Sequence, residues 1–337
     1  MAARNPLTVE VTRGGMVESR HRGAAVVMDA KGNAVHAWGE IERIVYPRSA
    51  IKPLQALALV ETGAAEAFGV TDAELALASA SHCGQPEHTD AITAWLERIG
   101  LGHGDLECGA HEPLDAETAK ARVRAGESSG AADNNCSGKH VGMLTTAKHL
   151  GEETAGYTRP GHPVQQRLRA ILTDIGGADL SQAPEGTDGC GIPVFGMPLS
   201  AMARAMARMA DTNGLEAGRA DAAERIVAAM TANPMLVSGR GRFDTIAMEA
   251  ANGAFVVKTG AEGMHGAILP GLGLGVAVKI DDGARRAAQV AMAAILDHLG
   301  VLDEEAKKAL AGFLETPVLN ARGERVGEIR MAKGWAG

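Results

Sequence analysis

Apolar and polar residues alternate with a period of two over residues 7–12, 17–29 and 34–38, the pattern of half-buried strands. Ala30-Lys31-Gly32-Asn33 joins the last two with turn-forming residues, so a hairpin is expected there. From about residue 63 to residue 253 the period lengthens to that of amphipathic helices. Helices are predicted over 72–80, 90–99, 116–125, 139–150, 164–175, 199–210, 220–232 and 243–251, with Gly, Pro, Asn and Asp gathered in the connectors. Strands return at 254–258, 266–269 and 275–280. Helices over 284–299 and 304–314 follow, and 318–320 with 325–331 forms a closing hairpin. Strands at both ends with helices between them predict a mixed α/β (α+β) fold. In it one antiparallel sheet is completed by the two ends and packed against an inserted helical lobe. The sheet lobe takes about 1–62 and 253–337, and the helical lobe about 63–252, within a single interleaved domain.

A further helix is predicted over 50–61, where Ile51, Leu54, Leu57 and Ala58 share a face and Gly63 supplies the stop. Pro53 has no N–H to give and fits only the first turn, which sets the start near Ser49. Ser49 and Lys52 are then neighbours one turn apart. A serine becomes a nucleophile when an adjacent base takes its proton. A lysine is such a base when burial or nearby cations lower its pKa, and the N–H groups of a helix start can hold an oxyanion. Alone, Ser-x-x-Lys more often describes a capping serine beside a solvated lysine. Val257-Lys258-Thr259-Gly260, at the end of a predicted strand, changes that balance. Ser-x-x-Lys on a helix followed far downstream by Lys-Thr-Gly on a strand is the order of serine β-lactamases and penicillin-binding proteins. Their intervening Ser-x-Asn has no clean counterpart, although Ser79-Ala80-Ser81-His82 offers a hydroxyl. Gly271-Leu272-Gly273-Leu274-Gly275 is read as a glycine-rich turn and not a dinucleotide fingerprint, because a strand follows it.

Composition narrows the partners. A net charge of −8 argues against a nucleic-acid groove or an anionic membrane surface. No apolar run approaches a membrane span and the first ten residues do not resemble a signal peptide, so a cytoplasmic location is expected. Cys83, Cys108, Cys136 and Cys190 are widely spaced with no C-x-x-C, which makes them buried thiols or ligands and not a disulfide framework. Two of them lie in chemically dense blocks. Asp133-Asn134-Asn135-Cys136-Ser137-Gly138-Lys139-His140 leads into a helix, and Gly186-Thr187-Asp188-Gly189-Cys190-Gly191 is a glycine-flanked loop. Cys136, Cys190 and a nitrogen from Lys139, His140 or His82 could form a zinc site with one open position.

Taken together, Tyr46-Pro47-Arg48-Ser49-Ala50-Ile51-Lys52-Pro53-Leu54-Gln55, Ala80-Ser81-His82, Cys108-Gly109, the Asn135 to Met143 block, Gly186 to Cys190 and Gly253 to Ala261 resemble the Rhizobium-type (class 3) L-asparaginases, in family order. The resemblance implies a serine β-lactamase-like fold, a homodimer, and hydrolysis of L-asparagine to L-aspartate and ammonia. It implies two Ser–Lys tandems, Ser49 with Lys52 and Ser81 with Lys258. It also implies a zinc ion on Cys136, Cys190 and the amine of Lys139, which has to be neutral to bind metal. The segment His82-Cys83-Gly84-Gln85-Pro86-Glu87 departs from the family pattern. For an amino-acid substrate, Arg48 can fork onto the α-carboxylate, Asp188 can accept from the α-ammonium, and His140 can orient substrate. A penicillin-binding-like acyl hydrolase, a glutaminase, and a non-catalytic zinc or amino-acid binder are the alternatives.

Overall fold

The computed structural model describes residues 5–335. Strands β1 (Leu7–Arg13), β2 (Met16–Asp29) and β3 (Ala34–Trp38) follow one another near the N-terminus. Later come β4 (Val256–Thr259), β5 (Met264–Leu269), β6 (Leu274–Ile280), β7 (Thr316–Leu319) and β8 (Arg325–Met331). They form one antiparallel sheet in the order β7-β8-β1-β2-β6-β5-β4, with β3 also paired to β2. The two chain ends meet where Val9 faces Met331 on β1 and β8, and where Val27 faces Val276 on β2 and β6. Here the expected sheet is found, closed by both ends of the chain. β2 changes character along its length. Its first half alternates, and from Gly23 to Met28 every residue is buried.

That buried half is covered by helix Leu199–Ala210, which packs on β2, β5 and β6, while helix Arg285–His298 packs on β1, β5, β6 and β8. The methionines of the first helix, Met202, Met206 and Met209, are core residues. Gly275 explains part of the glycine-rich turn: a side chain there would run into the backbone of Ala203 and Ala207.

The chain divides into two compact units, one of residues 1–50, 197–211 and 246–337, the other of 51–196 and 212–245. We call them the sheet unit and the helical unit. Two segments fall on the other side of the division expected from sequence. Helix Lys52–Glu61 packs on helices Ser137–His149, Pro163–Gly176 and Ala217–Ala232 and so belongs to the helical unit, whereas Leu199–Ala210 belongs to the sheet. Periodicity shows that a helix has an apolar face but not which surface that face meets. The predicted helix over 90–99 starts earlier, at Pro86, where the missing N–H costs nothing, and that over 139–150 starts at Ser137. Two short ladders had no sequence signal, Ile44–Val45 with Met197–Pro198 and Glu185–Thr187 with Pro193–Phe195.

Candidate active site

Lys52 is fully buried in the first turn of helix Lys52–Glu61, with Pro53 beside it as expected. Its amine donates to the carbonyl of Ala80, lies 3.1 Å from Ser81 Oγ and donates to the carbonyl of Asn135 at 3.2 Å. Burial lowers its pKa; the Cys136 and Cys190 sulfurs oppose this and Lys139 adds to it. The partner set suits a base. Two carbonyls accept N–H groups in either protonation state, the Ser81 hydroxyl can accept from the ammonium or donate to the amine, and Cys136 is a further hydrogen-bond partner.

Ser81 follows helix Asp72–Ala78, and its own N–H is tied to the carbonyl of Val237 at 2.9 Å. His82 fixes the next step of the chain. Ser137 Oγ donates to the Ala132 carbonyl and accepts from His82 Nε2, while His82 Nδ1 accepts from the Gly84 N–H. With both ring nitrogens engaged and its pKa held well below the usual value, first by burial, His82 is a neutral brace and leaves no nitrogen for a metal. Its ring also stacks on His88, 4.9 Å between centroids.

The Cys136, Lys139 and Cys190 side chains converge, all buried. Asn134 sets the first of them: its amide nitrogen donates to the carbonyls of Cys108 and Gly109, and its oxygen accepts from the Cys136 N–H. Gly138 lets helix Ser137–His149 press onto the end of helix Asp72–Ala78, since a side chain there would collide with the Leu77 carbonyl. The short ladder around residues 185–195 carries the Asp188–Cys190 turn, closed by the Asp188 N–H on the Ile192 carbonyl at 2.8 Å. Lys139 Nζ lies 3.1 Å from Cys190 Sγ. Hydrogen bonding from the Cys136 thiol, helped by Lys139 and opposed by burial, brings Cys190 down to about 5; Cys136 is pushed up to about 12 by the same bond and by burial. Burial works against the Lys139 charge, but Cys190, Cys136 and Asp188 outweigh it and raise its pKa. Among the described residues no three His, Cys, Asp or Glu side chains cluster to hold a metal ion, so a metal here needs Lys139 as its third donor. Two sulfurs and a nitrogen in one buried cluster, one sulfur already inclined to be a thiolate, are donor types that zinc takes, and Lys139 would have to lose its proton to serve as one.

The sheet unit holds the remaining candidates. Ser49 lies half-buried in a single 3₁₀ turn, Arg48–Ile51, that runs directly into helix Lys52–Glu61. No side chain caps that helix, so Ser49 is not the capping serine that the pattern alone allowed. Arg48 has φ +53°, a left-handed conformation that non-glycine residues seldom adopt. Lys258 is buried near the end of β4 and donates to the Thr259 carbonyl at 2.7 Å. The glycine of Lys-Thr-Gly has a steric role. A Cβ on Gly260 would sit 3.0 Å from the Pro47 carbonyl and 3.1 Å from the Ala50 nitrogen, so the strand end lies against the turn that carries Ser49.

The candidates thus fall into Arg48, Ser49 and Lys258 in the sheet unit, and Lys52, Ser81, Cys136, Lys139, His140, Asp188 and Cys190 in the helical unit. Lys52 reaches Ser81, the serine of the other expected tandem. Not legible in the sequence were the Ala80 and Asn135 carbonyls, the Asn134 brace and Tyr157, whose hydroxyl contacts His140. Tyr157 carried one usable signal: it is one of only two tyrosines in the chain.

The comparisons with known proteins identify the chain at the level of family. The L-asparaginase II family model matches residues 9–331, so the chain belongs to that family. It is an enzyme of the L-asparaginase-type amidohydrolases. No curated protein matches it in sequence. Among solved structures, a β-lactamase from Mycobacterium bovis is 12% identical, with 86% of this chain and 94% of that one covered and a TM-score of 0.40. A putative β-lactamase from Bacteroides dorei is 16% identical over 77% and 84%, TM-score 0.41. Mglu in its native form is 15% identical over 84% of this chain and 66% of that one, TM-score 0.46. At such identities the assignment rests on the family match. No helix among the described residues is long and apolar enough to cross a membrane.

Proposed function

We propose that the protein hydrolyses the side-chain amide of L-asparagine to L-aspartate and ammonia through an acyl-enzyme. The observation that carries the chemistry is the buried Lys52 amine, lowered in pKa and hydrogen-bonded to a serine hydroxyl. Ser49 attacks the amide carbonyl, Lys52 takes its proton, and N–H groups near the helix start hold the oxyanion. Ammonia leaves and a β-aspartyl ester remains. Ser81 and Lys258 relay the proton to the leaving amine and then help activate the water that cleaves the ester. The Lys52–Ser81 bond supports Ser81 as the first station of that relay. It also favours a second reading, in which Ser81 itself is the nucleophile and Lys52 its base.

Arg48 and Asp188 bind the α-carboxylate and α-ammonium. Cys136, Cys190 and Lys139 would hold a zinc ion, which when bound supplies a Lewis acid and a clamp on the two loops. The working form is a cytoplasmic homodimer, which light scattering tests. The deciding experiment is ammonia release from L-asparagine, with L-glutamine and a chromogenic lactam in parallel, on wild type, Ser49→Ala and Ser81→Ala. Release from asparagine alone supports the reading. The variant that still traps a β-aspartyl ester, detected by mass, identifies the nucleophile as the other serine. Lactam turnover alone would point to the penicillin-binding-like acyl hydrolase, and dominant glutamine turnover to a glutaminase.

A further inference from the structure

His140 Nδ1 lies 2.6 Å from the Tyr157 hydroxyl, and both side chains are fully buried. That hydroxyl already accepts the backbone N–H of Glu107 at 3.0 Å. It has one hydrogen of its own to place, and the acceptor at hand is His140 Nδ1. A ring that accepts at Nδ1 carries its proton on Nε2. His140 Nε2 is buried and has no hydrogen-bond partner among the described residues. A buried N–H left unpaired is unfavourable, and native interiors rarely keep one without a use.

The tyrosine is held firmly enough to impose this. Gln165 Nε2 donates to its carbonyl at 2.8 Å. The Glu107 carboxylate accepts from the Gly156 N–H at 2.5 Å and from the Thr158 hydroxyl at 2.5 Å, so the residue that donates to Tyr157 also clamps the turn on either side of it. The two rings meet edge to face, 77° between planes.

We propose that Tyr157 is a positioning residue that locks His140 in the Nε2–H tautomer, making it a hydrogen-bond donor to an oxygen of the bound amino-acid amide. On this view His140 offers no lone pair at Nε2. It is neither a zinc ligand nor a base there, which removes it from the nitrogens considered for the metal and leaves Lys139. Lys139, Cys136 and Lys52 are among the groups acting electrostatically on its ring, a surrounding that also suits a substrate oxygen. The tautomer stands on the geometry alone, whereas its use toward substrate rests on the amidohydrolase reading.

The test is a long-range 1H–15N correlation spectrum of histidine-labelled protein, with His140 identified by the signal lost in His140→Gln, together with steady-state kinetics on L-asparagine. The expected wild-type spectrum shows His140 neutral and protonated on Nε2. Tyr157→Phe keeps the ring and removes the donated proton; it should shift the tautomer and raise KM roughly tenfold, the worth of one hydrogen bond, with a smaller change in kcat. His140→Gln, whose amide N–H stands in for Nε2–H, should keep more affinity than His140→Leu. An Nδ1–H tautomer in the wild type, or a folded Tyr157→Phe with tautomer and KM unchanged, overturns the proposal. Equal KM for His140→Gln and His140→Leu overturns the substrate contact, and this pair decides even where Tyr157→Phe fails to fold. Wild type that shows the Nε2–H tautomer but releases no ammonia from L-asparagine overturns the amidohydrolase reading and leaves the tautomer assignment standing.

Discussion

In the helical unit the candidate residues are held by side chains bonding to one another and to specific carbonyls: Lys52 on Ala80, Ser81 and Asn135, His82 on Ser137, Asn134 on Cys108 and Gly109. In the sheet unit the Ser49 turn is placed by backbone, through the left-handed Arg48, the 3₁₀ turn and the close approach at Gly260. A buried polar network fails when one member is deleted, because the others are left desolvated and unpaired. A backbone-defined turn tolerates loss of a side chain and fails when one is added where none fits. The two sets of candidate residues should therefore respond in opposite ways to mutation.

Ranked by the stability at stake, Lys52→Met is the strongest test. It takes a donor from the buried Ala80 carbonyl and from the Asn135 carbonyl and removes the contact with Ser81 Oγ, so we expect about 2–4 kcal/mol of destabilisation in a urea melt together with loss of turnover. A Lys52→Met protein as stable as wild type would remove the idea that this network carries the unit. Gly260→Ala comes next, at about 1–3 kcal/mol, because the added methyl meets Met264 Cβ at 2.9 Å and the Pro47 carbonyl at 3.0 Å. Its activity should fall with it, as the Ser49 turn is pushed aside; full activity would show that the turn is not set by this contact.

Acid should act on the helical side. His82 and His88 are buried with pKa values depressed below 6.5, in each case first by burial. Below that value the unfolded chain takes up protons that the folded one refuses. Stability is thus fully present above about pH 6.5 and falls as the pH drops toward the folded-state pKa values, by at most about 1.4 kcal/mol per unit per histidine. Denaturant midpoints measured from neutral to acid pH check the slope, and His82→Gln should flatten it. Cys136→Ser should reduce zinc content, and zinc affinity of the wild type should rise with pH because the metal displaces a proton from Lys139. Unchanged zinc in that variant would assign the ligands elsewhere. The smallest structural effect belongs to Ser49→Ala. Half-buried and outside any cap bond, it should alter stability by less than about 0.5 kcal/mol while abolishing turnover.

Much of the architecture was legible because it is written in local periods. The hairpin β2–β3 and helices Ala116–Ala125, Leu199–Ala210, Phe243–Ala251 and Glu304–Leu314 lie where the patterns placed them. The Ser-x-x-Lys, Lys-Thr-Gly and cysteine blocks also announced themselves, since each is a short run of chemically distinctive residues. The short ladder beside Cys190 was silent because three-residue strands carry too little pattern, and the capping reading of Ser49 failed only once the 3₁₀ turn was seen.

By itself, then, the sequence determined an antiparallel sheet closed by both ends of the chain, a helical insertion, and a set of serines, lysines and cysteines of L-asparaginase type. Tertiary structure alone decided who touches whom. Lys52 bonds to a carbonyl 83 positions away and His82 to a serine 55 positions away, separations that no spacing rule can link. The same holds for the assignment of helix Lys52–Glu61 to the helical unit and for the proton on His140. Periodicity fixes the face a segment turns inward, whereas partners, tautomers and shifted pKa values follow from what that face meets, which is a property of the packed chain.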